Sequence, residues 1–185
     1  DTTNPTVRLA TTLETWYKAP FNIEVEVADA NNVETLYVWI DQVAENKSVP
    51  ATAGSVAVDP ELPVQVVTAA DLGFNTAIDS ADNYIHIKAV DVVGNVSYAH
   101  GKFGYDLTAP TKPTISFSKP IYGSTSALVN ITYSDATSKV SEMRIQGDIT
   151  NATGAEAWEP IASSKSVYLS SIDGIKSVTI MVRDT

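Results

Sequence analysis

The chain has 185 residues, 44% of them hydrophobic, enough to bury one or two cores in domains of ordinary size. Against 22 Asp and Glu stand 12 scattered Lys and Arg, a formal charge of -10, which excludes a nucleic-acid partner whose phosphates need clustered cations. Cysteine is absent, removing disulfides and thiolate metal sites, and no run approaches the roughly 20 apolar residues of a membrane span, so no membrane insertion by this segment is expected.

In chain order, alternation at Phe21, Ile23, Val25 and Val27 against Asn22, Glu24 and Glu26 predicts a half-buried strand with its acidic side in water. Further strands are predicted over 36–40, 55–58 and 64–67, then a single helical turn at 69–73, then strands over 84–90 and 95–103. Between the last two, Asp91-Val92-Val93-Gly94-Asn95 reads as a three-residue loop with Gly94 in the left-handed region, a bulged hairpin. That turn sets the register: Ala89 opposite Ser97, Ile87 opposite Ala99, Lys88 opposite Tyr98 and His86 opposite His100. Ile85, Ile87 and Ala89 then face the core, and His86, Lys88 and Tyr98 face outward. Pro110 and Pro113 make 105–113 a short, stiff connector. Beyond it, strands are predicted over 114–118, 127–133, 142–146, 166–169 and 177–182. Helical periodicity is sustained nowhere, and short strands parted by turn signals predict an all-β sandwich.

The chain also repeats itself. Val25-Glu26-Val27-Ala28-Asp29-Ala30 matches Ile131-Thr132-Tyr133-Ser134-Asp135-Ala136, and Val33-x-x-Leu36-x-Val38 matches Val140-x-x-Met143-x-Ile145 after a one-residue insertion. Ile87-Lys88-Ala89-Val90-Asp91 matches Ile180-Met181-Val182-Arg183-Asp184, and Asp1-x-Thr3-x-Pro5 matches Asp106-x-Thr108-x-Pro110. The expectation is two tandem antiparallel sandwiches, 1–105 and 106–185, an architecture that extends and presents. The first unit continues well past Asp91, whereas the second stops at Thr185, directly after the equivalent Asp184. The second sandwich is therefore expected to lack its last strand, and the chain to be a mature fragment of a longer polypeptide. An edge left open in this way is also an acceptor for a strand from another chain.

Several of these strings resemble the bacterial immunoglobulin-like domains that occur in tandem in surface proteins, adhesins, secreted enzymes and phage tail or head-decoration proteins. They are Ala89-Val90-Asp91-Val92-Val93-Gly94-Asn95, the junction Asp106-Leu107-Thr108-Ala109-Pro110, the run from Ser134 to Ile145, Trp158-Glu159-Pro160 and Asp173-Gly174-Ile175-Lys176-Ser177-Val178. The segment 41–83 departs from that pattern. The resemblance implies immunoglobulin-like sandwiches acting as a non-catalytic structural or adhesive spacer of an extracellular, cell-surface protein. Its partners would be further repeats of the same polypeptide and a host-surface glycan or protein. The alternative within the same resemblance is a phage fibre or capsid-decoration protein on a virion surface.

No nucleophile stands beside a base and no phosphate loop is present, so no enzyme is expected. His86 and His100, opposed across two strands, offer a transition metal two ligands; the competing reading is two solvated histidines on a sheet face. Calcium has a hard-oxygen candidate set in Asp29, Asp91 and Asp106 if the ends of the sandwich meet, as the resemblance also implies for such junctions; the competing reading is turn aspartates bonded to backbone amides. Tyr37 and Trp39 have the opposite parity from Leu36, Val38 and Ile40, and with Tyr98 they form a candidate binding face for a sugar or a protein. That face is the basis of a further alternative, a carbohydrate-binding module, unless loops cover it or Trp39 is a core tryptophan. Trp158 reads as a packing residue closing one end of the second unit. The Asn-x-Ser/Thr triplets at Asn46, Asn95, Asn130 and Asn151 are expected by chance in a chain this rich in Ser and Thr.

Overall fold

The computed structural model describes residues 2–119, 123–152 and 157–184. The chain divides into two compact units, Asp1–Leu107 and Thr108–Thr185. The division falls two residues later than the expected boundary at 105/106. The reason is local: the Asp106 N–H donates to Tyr17 O at 2.9 Å and the Leu107 N–H to Asp79 Oδ1 at 3.3 Å, tying both residues to the first unit. Asp1, which opens the repeat match to Asp106, lies outside the described residues.

The first unit runs β1 (Thr6–Leu9), β2 (Trp16–Tyr17), β3 (Ile23–Ala28), β4 (Val33–Asp41), β5 (Gly54–Ala57), β6 (Val64–Val67), α1 (Ala69–Leu72), β7 (Ser80–Asp91) and β8 (Val96–Tyr105). They form a three-stranded sheet, β1-β3-β6, and a five-stranded sheet, β2-β8-β7-β4-β5. Period-two alternation turns Ile23, Val25 and Val27 from one sheet toward Leu36, Val38, Ile85, Ile87 and Ala89 from the other, and these residues share one core. Phe103 is buried in that core, ringed edge-on by Tyr17, Phe21, Phe74 and Tyr105 at centroid distances of 5.4–6.4 Å. The one turn of α1 is held by a reciprocal capping box between Thr68 and Asp71.

The β7–β8 hairpin takes the predicted register, with His86 opposite His100, Lys88 opposite Tyr98 and Ala89 opposite Ser97. Its turn needs a left-handed residue, and Gly94 supplies φ 94°, while the Asp91 N–H donates to Asn95 O at 3.1 Å. Strands β1 and β2 were not among the sequence expectations. β2 also breaks the expected all-antiparallel pattern, because it pairs in parallel with β8, Trp16 opposite Gly104. The approach is close: a Cβ on Gly104 would lie 2.5 Å from both the Thr15 carbonyl oxygen and the Trp16 ring.

The second unit comprises β9 (Thr114–Phe117), β10 (Ser126–Thr132), β11 (Val140–Gly147), β12 (Glu159–Pro160), β13 (Ser164–Tyr168) and β14 (Val178–Asp184). The sheets β13-β10-β9 and β12-β11-β14 enclose Ala127, Val129, Ile131 and Val167 against Met143, Ile145 and Ile180. The repeat read in the sequence is realised as strand pairing. Val33 faces Asp91 and Val140 faces Asp184; Leu36 faces Ala89 and Met143 faces Val182; Val38 faces Ile87 and Ile145 faces Ile180. Even the irregularity recurs at the same place, between Val33 and Thr35 in one unit and between Val140 and Glu142 in the other. Within its unit β7 lies between β4 and β8, whereas β14 pairs, among the described residues, with β11.

Candidate functional site

The outer face of the five-stranded sheet carries three rows of side chains set by the two registers. Tyr37, Lys88 and Tyr98 make the first row, Trp39, His86 and His100 the second, and Asp41, Tyr84 and Lys102 the third. The Lys88 ammonium stands 5.6 Å from the Tyr37 ring centroid and Lys102 stands 5.9 Å from that of Tyr84. In the middle row the Trp39 indole stacks on His86 at 5.1 Å, and the two imidazoles meet edge to face at 4.9 Å.

His86 was expected to face solvent but is 0% exposed, and Trp39, the centre of the proposed Tyr37/Trp39/Tyr98 binding face, is 2% exposed. Their parity is as expected; what differs is that the face is covered. The segment after β4 folds back along it: Asn46 Nδ2 donates to Asp41 Oδ2 at 2.6 Å, the Val43 N–H donates to Asp41 Oδ1 at 2.8 Å, and Lys47 lies over Tyr98 at 5.5 Å. Tyr37 and Tyr98 stay half-buried. Beneath this cover the Trp39 indole N–H has no hydrogen-bond partner among the described residues.

A polar chain runs through the covered row. His86 Nε2 lies 2.8 Å from Asp41 Oδ1, and His86 Nδ1 lies 2.7 Å from His100 Nδ1. An ionised carboxylate only accepts, so Nε2 of His86 carries the hydrogen toward Asp41. In the neutral ring Nδ1 is then bare and accepts, and His100 must donate from its own Nδ1. Burial pushes the Asp41 carboxyl up, but the donors on Asn46, Val43 and His86 outweigh it and hold the group below its ordinary value. Burial, then the His86 charge, push His100 down, with Lys47 adding to the effect and Glu45 and Asp41 opposing it. Among the described residues neither histidine bonds a hydroxyl nucleophile, and a direct N–H···N bond between the rings is not the geometry of two ligands around one ion. Asp41 escaped the sequence reading. Its signal was position: it has the parity of Trp39 and sits one row along, diagonal to His86.

The calcium candidates fall elsewhere. Asp29 caps its own turn, accepting the Asn31 N–H at 2.8 Å. Asp91 is 1% exposed and accepts from Val93 N–H, Asn95 N–H and Asn95 Nδ2 at 2.8–3.0 Å, donors that outweigh its burial and hold its carboxyl below the ordinary value. Asp106 is buried. Among the described residues Asp29 and Asp91 join no cluster of three ligand-type side chains. The carboxylates that do converge are their repeat counterparts in the second unit, Asp135 and Asp184, whose oxygens come within 4.8 Å of each other. Asp135 Oδ1 accepts the N–H groups of Thr137 and Ser138 at 2.9 Å, and its Oδ2 is buried without a hydrogen-bond partner among the described residues. The repeat match itself was the signal for this pair.

Also in the second unit, Trp158 packs against the guanidinium groups of Arg144 at 5.1 Å and Arg183 at 4.5 Å, bridging β11 and β14 as a packing residue. An open cleft of about 950 Å³ lies among Lys119, Ser124, Thr125, Ser170, Asp173 and Lys176, with no nucleophile–base pair among these residues.

No family model matches the chain, and no curated protein matches it. Among solved structures, the crystal structure of murine CEACAM1b is similar over 98% of this chain and 92% of its own, with a TM-score of 0.41 at 8% identity.

Proposed function

We infer that the chain is a non-catalytic structural and adhesive spacer, built of two immunoglobulin-like units, from an extracellular cell-surface protein. The observation that carries the reading is the doubled strand pairing, in which Val33–Asp91 and Val140–Asp184 repeat the same register and the same irregularity. A unit copied in tandem lengthens a molecule without adding chemistry, and the side-chain groupings agree. The histidines are spent on each other and on Asp41, and the Asp91 carboxylate is spent on its own hairpin. Excess acidic charge keeps such a surface hydrated and resists edge-to-edge association.

Immunogold labelling of intact source cells with antibodies against the chain tests the reading. Label on the outer surface is the expected result. Label confined to the cell interior overturns it, and label on virions alone transfers the same structural role to a phage particle.

A further inference from the structure

We propose that the outer face of the sheet β13-β10-β9 is a docking surface for an uncharged oligosaccharide, which deepens the adhesive part of the reading above and rests on it. Charge points to this face. Residues 1–107 hold fifteen of the 22 Asp and Glu and five of the 12 Lys and Arg, so they carry the whole formal charge of -10. Residues 108–185 hold seven of each and are formally neutral. Within that neutral unit, none of the outward side chains of these three strands is charged. Ser116, Asn130 and Ser164 form one row, and Leu128 and Ser166 form the next. Beyond them Tyr168 stands opposite Ser126 and is 51% exposed, and Leu128 is 42% exposed. Lys165 has the opposite parity and pairs with Glu159 of β12.

The repeat shows that the fold does not require such a face. Glu26 matches Thr132, which puts Glu24 in register with Asn130. In the first unit Arg8 lies opposite Glu26 and donates to it, Nε to Oε2 at 3.1 Å; in the second unit Thr114 lies opposite Thr132. An ion pair and a second carboxylate on one copy are thus replaced by hydroxyls and an amide on the other. These groups both donate and accept hydrogen bonds, as sugar hydroxyls do, and an uncharged ligand brings no ion that must be stripped of water against them. Tyr168 and Leu128 add an exposed apolar ledge on which the C–H face of a sugar ring can rest. Extent decides between occupants. Three strands, the longest of 7 residues, cover roughly 300 Å², against the roughly 800 Å² per partner of a stable protein interface. A slender neutral glycan suits that footprint, whereas a second copy of the chain needs more.

The biotinylated full chain, displayed on streptavidin, is applied to a printed array of neutral glucans, mannans and galactans beside sialylated and sulfated glycans. Binding to neutral members is expected. Tyr168→Ala, which removes the ledge, and Asn130→Glu, which installs the charge the first unit carries in the same register, should each weaken it about tenfold or more. A strand of the same fold already accommodates that glutamate, so Asn130→Glu should fold, and an unchanged Trp158 indole NMR signal checks this. Should Tyr168→Ala fail to fold, Asn130→Glu decides alone. No binding to any neutral glycan, binding to anionic glycans alone, or binding that survives either substitution overturns the proposal. So does a concentration-dependent dimer in sedimentation that Asn130→Glu abolishes, which assigns the face to a second copy. A blank array with immunogold label on the outer surface removes the glycan and leaves the spacer in place, whereas label confined to the cell interior removes the reading on which the proposal rests.

Discussion

At position 39 two simple rules point in opposite directions. Strand parity places the Trp39 side chain on the outer face with Tyr37 and away from Leu36 and Val38, yet only 2% of its surface reaches solvent. Parity decides which face of a sheet a residue occupies, and coverage decides whether that face is wet. Here the segment 43–47 and the stack on His86 supply the coverage. Trp39 is thus a packing residue on the far side of the sheet from the main core. Trp39→Ala should destabilise the first unit by about 3–5 kcal/mol, the usual cost of emptying a buried aromatic site. Denaturant unfolding of the variant measures this; a change well under 1 kcal/mol, accompanied by loss of binding to a glycan or protein, would return the residue to the contact role.

Among the elements, β2 is held by a close backbone approach. It is two residues long, pairs in parallel with β8, and carries Tyr17, whose ring stacks on Phe21 at 3.6 Å. Its docking depends on the missing side chain of Gly104, since a Cβ there would press into the Thr15 carbonyl and the Trp16 ring. Gly104→Ala should cost about 1–3 kcal/mol through overpacking and should loosen residues 14–17 first. Faster exchange of the Gly104 amide, which donates to Thr15 O at 2.8 Å, is the readout. β2 also marks the limit of what could be read in advance. Long strands with clean alternation, such as β3 and β10, were visible because one buried face writes itself into every second residue. The hairpin register followed from Gly94, a single backbone requirement. β1, β2 and β12 are short or lack an alternation of their own, and their positions are set by partners distant in sequence, which no local period encodes. The site divides in the same way. The His86–His100 opposition was legible from the turn, whereas Asp41, the cover over His86, and the choice of Asp135 and Asp184 over Asp29 and Asp91 depend on loops.

In the whole molecule the same pairing scheme is filled with different material. The first unit's core is anchored by Phe74, Phe103 and Tyr105, and Ile85, Ile87 and Ala89 of β7 are completely buried between β4 and β8. The second unit's core is mostly aliphatic, with Phe117 and Tyr133 only partly buried against it. The β14 residues matching Ile87 and Ala89 are Ile180, 8% exposed, and Val182, half-buried. Burial of apolar surface sets most of the stability of a small unit, so the second unit should unfold first and separately, since the two cores share no residue. The tryptophans divide conveniently for the test, Trp16 and Trp39 in the first unit and Trp158, held by Arg144 and Arg183, in the second. In a urea titration followed by indole NMR signals, the native Trp158 resonance should disappear at lower urea, while those of Trp16 and Trp39 disappear together. Trp39→Ala should then move the Trp16 midpoint and leave that of Trp158 in place. A single midpoint shared by all three indoles, shifted as one by that substitution, would mean that the repeat unfolds as one cooperative body rather than as two units in series.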